Sequence, residues 1–238
     1  MKITYIHHSG FVLETDKLSL MIDCCGIEKH RALIPDLAGK RLYLLSSHNH
    51  GDHFDPAILT YGSGDRCTDR VWILSEDIRG KLPARKNEVI HFIKKGGVYK
   101  DELLTVRAYG STDEGVSFYI ETGGLKIFHA GDLNNWHWKE EETPEDAAKN
   151  EKFYLDELAL IAKDVPALDA AMFPVDPRLG RDYARGAEQF LDSIKVRLFI
   201  PMHFWDNYEA ARAFRPAAEA RDCRFADISK QGEVFGGF

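Results

Sequence analysis

The sequence predicts an α/β fold in which two mixed β-sheets pack together and helices cover their outer faces. Strand-like and helix-like segments alternate in both halves of the chain, and none carries the glycine-rich loop of a nucleotide-binding fold. With 44% hydrophobic and 29% charged residues among 238, the composition is typical of a globular protein with a sizeable core. No linker divides the chain, so we expect one domain over residues 1–238.

The N-terminal half is expected to contribute six strands. Each is an apolar run bounded by turn-forming residues. They cover residues 2–6, 10–15, 18–23, 41–45, 71–74 and 89–92. Residues 27–39 are predicted to be irregular or weakly helical, and a helical turn is expected over residues 76–80. Asp55 suits the N-cap of a short helix, because Pro56 fits its first position.

The C-terminal half combines strands with three helices. The strands are expected over residues 103–109, 116–122, 125–130, 170–173 and 196–200. Gly123-Gly124 should close a tight hairpin. A helix should begin after Thr143, because Thr143 suits the N-cap, Pro144 the first position and Asp146 the third. It is expected to end before Pro166.

Apolar spacing predicts which helical residues are buried. In the first of these helices the buried set is Phe153, Leu155, Leu158 and Ile161. The second helix shows the same spacing at Ala187, Phe190, Leu191 and Ile194. Asp206 or Asn207 should cap the third helix, and Pro216 must interrupt it, since proline cannot continue a helix.

A stretch rich in histidine follows the strand at residues 41–45. His48 and His50 are two residues apart, so at an extended strand end they point the same way and can converge on one ion. Asp52 and His53 come round after the turn as a second pair. Three imidazoles and a carboxylate within six residues would repel each other and be costly to bury without a cation, so this pattern predicts a metal site.

This stretch is the H-x-H-x-D-H signature of the metallo-β-lactamase-fold hydrolases, which the chain resembles over nearly its whole length. Three further stretches match that family in order: Tyr5–Phe11, Phe128–Asp132 and Ile200–His203. The first of them resembles the opening of the branch that includes ascorbate-phosphate lactonases. The resemblance implies a four-layer αββα sandwich with metals at one edge of the sheets.

The same resemblance implies two metal positions. His48 and His50 would begin one, Asp52, His53 and His203 would form the other, and Asp132 would lie between them. Mixed imidazole and carboxylate ligands suit Zn²⁺, and also Mn or Fe, so one or two zinc ions are expected with Mn or Fe as alternatives. Paired metals lower the pKa of bound water toward about 7.

One motif departs from the family pattern. Family members usually have a histidine one strand before the Gly-Asp pair, and residues 109–118 contain none. Ser111 is nearest the expected position, but hydroxyls bind zinc poorly. Asp113 can substitute as an oxygen ligand, or His137 can reach back from the loop that follows. Asp52, as a group that orients the nucleophile, and His137 are the candidate catalytic residues.

Other polar residues are expected near this site. His7 and His8 lie at the first turn, where hydrogen bonding at the site floor is a simpler role than ligation. His129 precedes a ligand and is expected to pack beside the site and support it. Arg178 and Arg181 follow a core strand on a rim loop, where either can hold an anionic substrate.

The predicted function is metal-dependent hydrolysis of a small-molecule ester, lactone or phosphoester by an activated water. No GxSxG, P-loop or Cys-His signature supports a side-chain nucleophile. The alternative is a phosphodiesterase or nuclease of the same fold, which the net charge of −7 disfavours, as does the lack of a long insertion like the tRNA-clamping arm of relatives. A degenerate, non-catalytic metal-binding member is the third interpretation, because the histidine is missing.

Partners and location follow from composition. We expect a small-molecule substrate, no membrane and no nucleic acid, since no run approaches the roughly 18 apolar residues of a membrane span. The N-terminus lacks a signal-peptide core. The four cysteines, Cys24, Cys25, Cys67 and Cys223, show no CxxC spacing. Reduced thiols in a cytoplasmic protein are therefore predicted.

Overall fold

The computed structural model describes residues 1–62, 69–82 and 90–237. In chain order the strands are β1 (Lys2–His7), β2 (Gly10–Glu14), β3 (Leu18–Ile22), β4 (Arg41–Ser46), β5 (Arg70–Ser75), β6 (Ile90–Ile93), β7 (Val98–Lys100), β8 (Thr105–Tyr109), β9 (Ser117–Thr122), β10 (Leu125–His129), β11 (Ala167–Pro174), β12 (Lys195–Met202), β13 (Arg224–Phe225) and β14 (Val234–Gly236). The α-helices are α1 (Ile27–His30), α2 (Pro144–Asp164), α3 (Arg185–Ser193), α4 (Tyr208–Ala213) and α5 (Arg215–Glu219). Short 3-10 helices cover Arg31–Leu33, Pro56–Leu59, Glu76–Lys81 and Pro177–Asp182.

The strands form two seven-stranded mixed sheets. The first has the order β14-β1-β2-β3-β4-β5-β6 and the second β13-β12-β11-β10-β9-β8-β7. In the first sheet the pairs from β14 to β3 are antiparallel and those from β3 to β6 are parallel. In the second, the pairs from β7 to β10 are antiparallel and those from β10 to β13 are parallel. The predicted fold of two mixed sheets with outer helices is confirmed.

The centre of strand β4, residues 42–45, shows why the chain before the histidines contains a continuous hydrophobic run. Tyr43 and Leu45 belong to the core that joins the two sheets. Leu42 and Leu44 belong to a second cluster on the other face, with Ile27 of α1. Because successive strand side chains point to opposite faces, a strand covered on both sides has no polar face. The histidine-rich stretch that follows β4 therefore extends from a strand that is held in place on both faces.

Helices α2 and α3 cover the second sheet. Tyr154 of α2 is fully buried and donates to the Gly186 carbonyl at the start of α3 (2.7 Å). Phe190 of α3 stacks on Phe173 of β11, with ring centroids 4.5 Å apart. Such aromatic pairs fix the helices against the strands that carry site residues at their ends.

The buried face of α2 differs from the predicted one. The cap is as predicted, since Thr143 Oγ1 accepts from the Asp146 N–H (3.2 Å). Phe153 and Leu155 are 48% and 40% exposed, so the prediction that they are buried was wrong. Leu158 and Ile161 are buried as predicted, and Tyr154 joins them in the buried stripe. Spacings of four and three residues place these three on one face of the helix, which turns Phe153 and Leu155 away from it.

Two helix boundaries lie where the sequence predicts them. Asp55 caps the 3-10 helix at Pro56–Leu59 by accepting from the Ala57 N–H (2.9 Å). Pro216 lies in the first turn of α5 and separates it from α4, as predicted. The predictions for Cys67 and Val89 concern residues outside the described ranges.

Two further observations concern the cysteines and the helices. Cys24, Cys25 and Cys223 are free thiols. Among the helices that the structure describes, none has both the length and the apolar content needed to cross a bilayer.

The ends of four strands meet at one edge of the sandwich. The Val116 N–H bonds the Ser47 carbonyl just past β4 (2.9 Å), and the Val175 N–H bonds the Met202 carbonyl at the end of β12 (2.9 Å). The His203 N–H also bonds the His8 carbonyl in the turn between β1 and β2 (3.3 Å). The first and third of these bonds join the two sheets where the predicted ligands lie, and the second joins neighbouring strand ends of the second sheet.

Candidate metal centre

The histidine-rich stretch follows β4 as a tight turn. The N–H groups of His53 and Phe54 both bond the His50 carbonyl, at 3.1 and 2.8 Å. The turn buries His48 and His53 completely. It leaves the side chains of His50 and Asp52 partly exposed, at 41% and 34%.

Asp132 and His203 come to the same place from the second sheet. Asp132 follows β10 after Gly131, whose φ of +54° is left-handed. A Cβ on Gly131 would lie 2.9 Å from the Ser47 Cβ, so only glycine allows this approach of the two sheets. His203 follows β12 and has a left-handed φ of +62°. Such strain in a non-glycine residue is typical of functional sites.

The Asp132 carboxylate lies at the centre of three imidazoles. Its Oδ1 is 3.0 Å from His53 Nε2 and 3.3 Å from His203 Nε2. Its Oδ2 is 3.4 Å from His48 Nε2. Asp132 thus lies between His48 on one side and His53 and His203 on the other.

Four of these facing atoms are buried without a hydrogen-bond partner in the described part of the chain. They are His48 Nε2, His53 Nε2, His203 Nε2 and Asp132 Oδ1. Each unsatisfied buried polar group costs about 1–3 kcal/mol. Imidazole and carboxylate are ordinary ligands of Zn²⁺, Mn²⁺ and Fe²⁺, so bound divalent cations would satisfy these four atoms. The residues fit a metal.

The opposite nitrogens of these rings are held by carboxylates and a hydroxyl. The fully buried Asp23 lies 2.8 Å from His53 Nδ1 and also accepts from the Ser47 N–H (2.7 Å) and hydroxyl (2.6 Å). Ser47 Oγ in turn lies 3.0 Å from His48 Nδ1. Asp23 therefore orients one imidazole from each half of the site, which is how protein groups fix metal-binding histidines.

Asp176 does the same for His203. Its Oδ2 lies 2.8 Å from His203 Nδ1 and accepts from Arg178 Nε and Nη2 at 2.9 and 2.5 Å. Asp176 is fully buried. Burial alone would raise the pKa of Asp176, but His203 and Arg178 hold it below its usual value. A carboxylate at this point fixes the ring with Nε2 toward Asp132.

The charges of the cluster depend on one another. Burial disfavours the imidazolium, yet Asp132 raises the pKa of His53 to about 10 and that of His203 to about 9. In turn, although burial opposes it, His203 and His53 hold the pKa of Asp132 well below its usual value. Without a metal the two rings carry protons, and a cation would take their place.

The loop at residues 111–115 brings a possible replacement for the missing histidine to the site. Its Gly115 has a φ of +71°, and a Cβ there would lie 2.4 Å from the His48 Cβ. This close contact brings Asp113 to the site, where His50, Asp113 and Asp132 each place a ligand atom within 4.8 Å of the others. Ser111 Oγ instead accepts from the Asp113 N–H (3.3 Å). Asp113 is thus the better placed substitute.

His137 does not reach the cluster. Its Nε2 donates to the Asp182 carbonyl (3.2 Å), and its Nδ1 accepts from the Lys139 N–H (3.2 Å). Both ring nitrogens are used in a separate groove, so the candidate role of His137 in catalysis or ligation is not supported. His129 is likewise satisfied, by the Ser9 carbonyl (2.8 Å) and the Gly131 N–H (3.1 Å).

The first turn behaves differently from its prediction. His7 Nδ1 accepts from Gln231 Nε2 (3.1 Å), and its ring stacks on His30. His8 is buried, and neither of its ring nitrogens has a hydrogen-bond partner among the described residues. Its Nε2 is 3.3 Å from Asp52 Oδ2. Burial lowers the pKa of His8 to about 4, so the ring is neutral at pH 7.

An open cavity of about 440 Å³ leads to the cluster. Asp52, Asp132 and His203 form part of its lining, and Trp136, Trp138 and Arg178 form part of its wall. The Arg178 guanidinium lies over the rings of Trp205 and Trp138, at 5.1 and 5.8 Å from their centres. Arg181, the other predicted anion-binding residue, lines separate grooves.

Sequence reasoning missed Asp23 and Asp176. Each follows an apolar strand of a sheet, Asp23 after β3 and Asp176 two residues after β11. A carboxylate that closely follows a buried strand indicates a candidate site residue, because a buried charge must be paired with another group. The same reasoning, applied to the ends of all parallel strands, would have found both.

The comparisons with known proteins show the family and the fold of this chain. Residues 2–147 match the family model described as a beta-lactamase superfamily domain. The chain is 27% identical to a UPF0173 metal-dependent hydrolase of Desulforamulus reducens and 26% identical to one of Pelotomaculum thermopropionicum, each over 98% of both chains. Igni18, a novel metallo hydrolase from Ignicoccus hospitalis, superposes with a TM-score of 0.66 at 18% identity, covering 100% of this chain and 99% of that one. This last likeness shows a shared fold.

Proposed function

The chain belongs to the beta-lactamase superfamily and is a metal-dependent hydrolase, and from this premise we propose that it hydrolyses a small-molecule ester, lactone or phosphoester with an activated water. One observation carries the proposal. Three buried imidazole nitrogens and a carboxylate oxygen converge without hydrogen-bond partners beside an open cavity, among the residues that the structure describes.

We assign two metal positions that share Asp132. The first would be held by His48, His50 and Asp113, and the second by Asp52, His53 and His203. Zinc is the metal we propose, with manganese and iron as the alternatives that metal analysis would distinguish. The free thiols of the described cysteines support the proposed cytoplasmic location.

A bound dication would supply a Lewis acid and lower the pKa of water toward about 7. The protein groups around it orient and protect the reaction. Asp52 borders the cavity, where its carboxylate can orient a water molecule and accept its proton. Trp136 donates from Nε1 to the Asp132 carbonyl (2.8 Å), and its ring lies 5.4 Å from that of His203. This indole shields one side of the site from bulk water.

Arg178 is placed to bind an anionic group of the substrate. Two of its nitrogens are fixed on Asp176, and 47% of the side chain remains exposed beside the cavity. A guanidinium fixed in this way offers its free edge to a carboxylate or phosphate. Arg178→Lys should raise the KM for anionic substrates at least about tenfold, since a charged hydrogen bond contributes about 1.5–3 kcal/mol. Arg181→Lys, outside the cavity, should leave the KM unchanged.

The proposal is tested by metal analysis and a substrate panel. Protein loaded with Zn²⁺, Mn²⁺ or Fe²⁺ should turn over small esters, lactones or phosphodiesters, with a rate that rises through about pH 7 and is abolished by chelators. Asp132→Asn should lose both metal and activity. Asp169→Asn, whose carboxylate pairs with Arg197 at the surface, should retain both.

The rival interpretations give different results in the same panel. Salt-sensitive cleavage of RNA or DNA without small-molecule turnover would favour the nuclease. Complete inactivity with bound metal would favour the non-catalytic member. A protein that binds no divalent metal would refute the proposal as a whole.

A further inference from the structure

The turn between β1 and β2 carries a histidine in an unusual setting. His8 has a left-handed φ of +52°. Its ring packs between those of His203 and Trp205, with centroids 4.2 and 4.4 Å away, and meets His53 edge-on at 5.4 Å. Its carbonyl accepts from the His203 N–H (3.3 Å). The strained turn is therefore attached directly to two residues of the second metal position.

Both ring nitrogens of His8 are buried without a hydrogen-bond partner in the described residues. The buried ring nitrogens with this property belong to His8, His48, His53 and His203, within the ranges that the structure describes. Buried histidines elsewhere, such as His129 and His137, use both nitrogens. An unpartnered buried polar group calls for a physical explanation, and His8 shares its condition with the residues that face the proposed metals.

The distances around His8 fit ligation. One ligand atom from each of His8, Asp52, His53 and His203 lies within 4.8 Å of all the others. His8 Nε2 and Asp52 Oδ2 are 3.3 Å apart but do not form an aligned hydrogen bond. Two ligands that are each about 2.0–2.2 Å from one ion lie about 3–3.5 Å apart, so this spacing is that of neighbouring ligands.

We propose that His8 is a further ligand of the second metal position, joining Asp52, His53, His203 and the shared Asp132. The inference rests on the proposed function and adds a residue that the family signature does not contain. It gives the second position three imidazoles and two carboxylates. Five protein donors are at the upper limit for zinc and within the ordinary range for manganese and iron.

His8 should be the weakest imidazole of the set. The rings of His53 and His203 are each oriented by a buried carboxylate, Asp23 and Asp176 respectively. His8 Nδ1 has no such partner among the described residues. Since these supporting hydrogen bonds raise ligand basicity, loss of His8 should weaken binding less than loss of His203 does.

Two variants separate ligation from packing. His8→Phe keeps a ring between His203 and Trp205 but removes both nitrogens. His8→Asn keeps a residue that tolerates the left-handed backbone. His7→Asn is the matched control, because the neighbouring ring faces Gln231 and His30 instead of the cluster. His203→Asn is the positive control.

Metal-free protein of each variant is titrated with Zn²⁺ by calorimetry and with Co²⁺ by visible absorption, which reports the ligands of the ion. The second position is expected to take the first equivalent, because even without His8 it offers four protein donors, two of them carboxylates. Both His8 variants should therefore weaken the first equivalent at least about tenfold and change the Co²⁺ spectrum of that equivalent. His203→Asn should weaken it more, and His7→Asn should match wild type. Circular dichroism checks that each variant is folded.

Wild-type protein supplies a measurement that needs no variant. NMR of isotope-labelled histidine rings should show the His8 ring nitrogens shifting as the first equivalent of Zn²⁺ binds. Folded His8 variants with wild-type affinity and spectrum, or an unshifted His8 ring, would overturn the assignment while leaving the proposed function intact. A wild-type protein that binds no metal would refute both.

Discussion

Replacing Asp23 with asparagine is expected to weaken both metal positions at once. The Asp23 carboxylate orients His53 directly (2.8 Å) and His48 through the Ser47 hydroxyl (2.6 and 3.0 Å). One of these imidazoles belongs to each proposed position. Asparagine has nearly the same shape, so the change removes charge and one acceptor without leaving a cavity.

The structure sets the size of the effect. Asp23 accepts three hydrogen bonds, and the amide of asparagine would oppose a donor at one of its two former oxygens. A charged hydrogen bond contributes about 1.5–3 kcal/mol, and breaking a buried ionic contact costs about 3–5 kcal/mol. The free energy of unfolding should therefore fall by about 2–5 kcal/mol. Each metal equivalent should bind about 10–100-fold more weakly, which corresponds to about 1.4–2.7 kcal/mol.

Calorimetric titration of metal-free protein and urea denaturation measure these quantities. Asp176→Asn is the matched comparison, because among the described metal-facing histidines Asp176 contacts only His203, so the change should weaken only the second position. If Asp23→Asn weakened one equivalent and left the other at its wild-type affinity, the shared support through Ser47 would be wrong. Unchanged affinity for both equivalents would refute the role of Asp23 altogether.

Three further predictions concern loading order, the substituted ligand and pH. His48→Ala should spare the first metal equivalent and weaken the second, whereas Asp132→Ala should abolish tight binding in the same titration, because Asp132 contacts imidazoles of both positions. Loss of the tight equivalent in His48→Ala would reverse the order. Asp113→Asn should weaken the second equivalent about tenfold or more by removing an anionic ligand, and an unchanged second equivalent would exclude it as a ligand. The pKa values of His53 and His203, about 10 and 9 in the metal-free fold, lie above the ordinary value of 6.5. Their contribution to stability is present below about pH 6.5 and lost as pH rises through 9 to 10, so urea denaturation of metal-free protein should show a falling free energy of unfolding from pH 7 to 10. Metal-loaded protein should not show this fall. A flat profile for metal-free protein would contradict the raised pKa values of His53 and His203.

The fold was predictable because its local signals agree with its packing. Apolar runs bounded by turns form most of the strands, and residues 42–45 of the strand before the histidines are all hydrophobic because both faces of that strand are buried. The short strands β7, β13 and β14 were not predicted, since strands of two or three residues depend on pairing with distant segments instead of their own pattern.

Residue spacing alone predicted the site only where ligands are close in sequence, and the distant Asp132 and His203 were named through the family resemblance. The spacing of His48 and His50 is a local signal, and the metal-facing orientation of His8 is not, because it depends on a left-handed turn packed against His203. The sequence also misplaced His137 as a candidate site residue, because its position depends on contacts between distant segments. Its nitrogens are used by backbone groups of residues 139 and 182, a contact that no spacing in the sequence reveals.

The distribution of the ligands along the chain has a consequence for biosynthesis. The histidine-rich turn emerges from the ribosome early, and His203 emerges only after most of the second sheet. A nascent chain that ends before β12 lacks His203 and the sheet-to-sheet contacts that orient the other ligands, so it should bind a metal ion weakly. Tight capture would then coincide with the docking of the two sheets. Once bound, the ion would act as a non-covalent cross-link between early and late segments, and it would delay their separation when the protein unfolds.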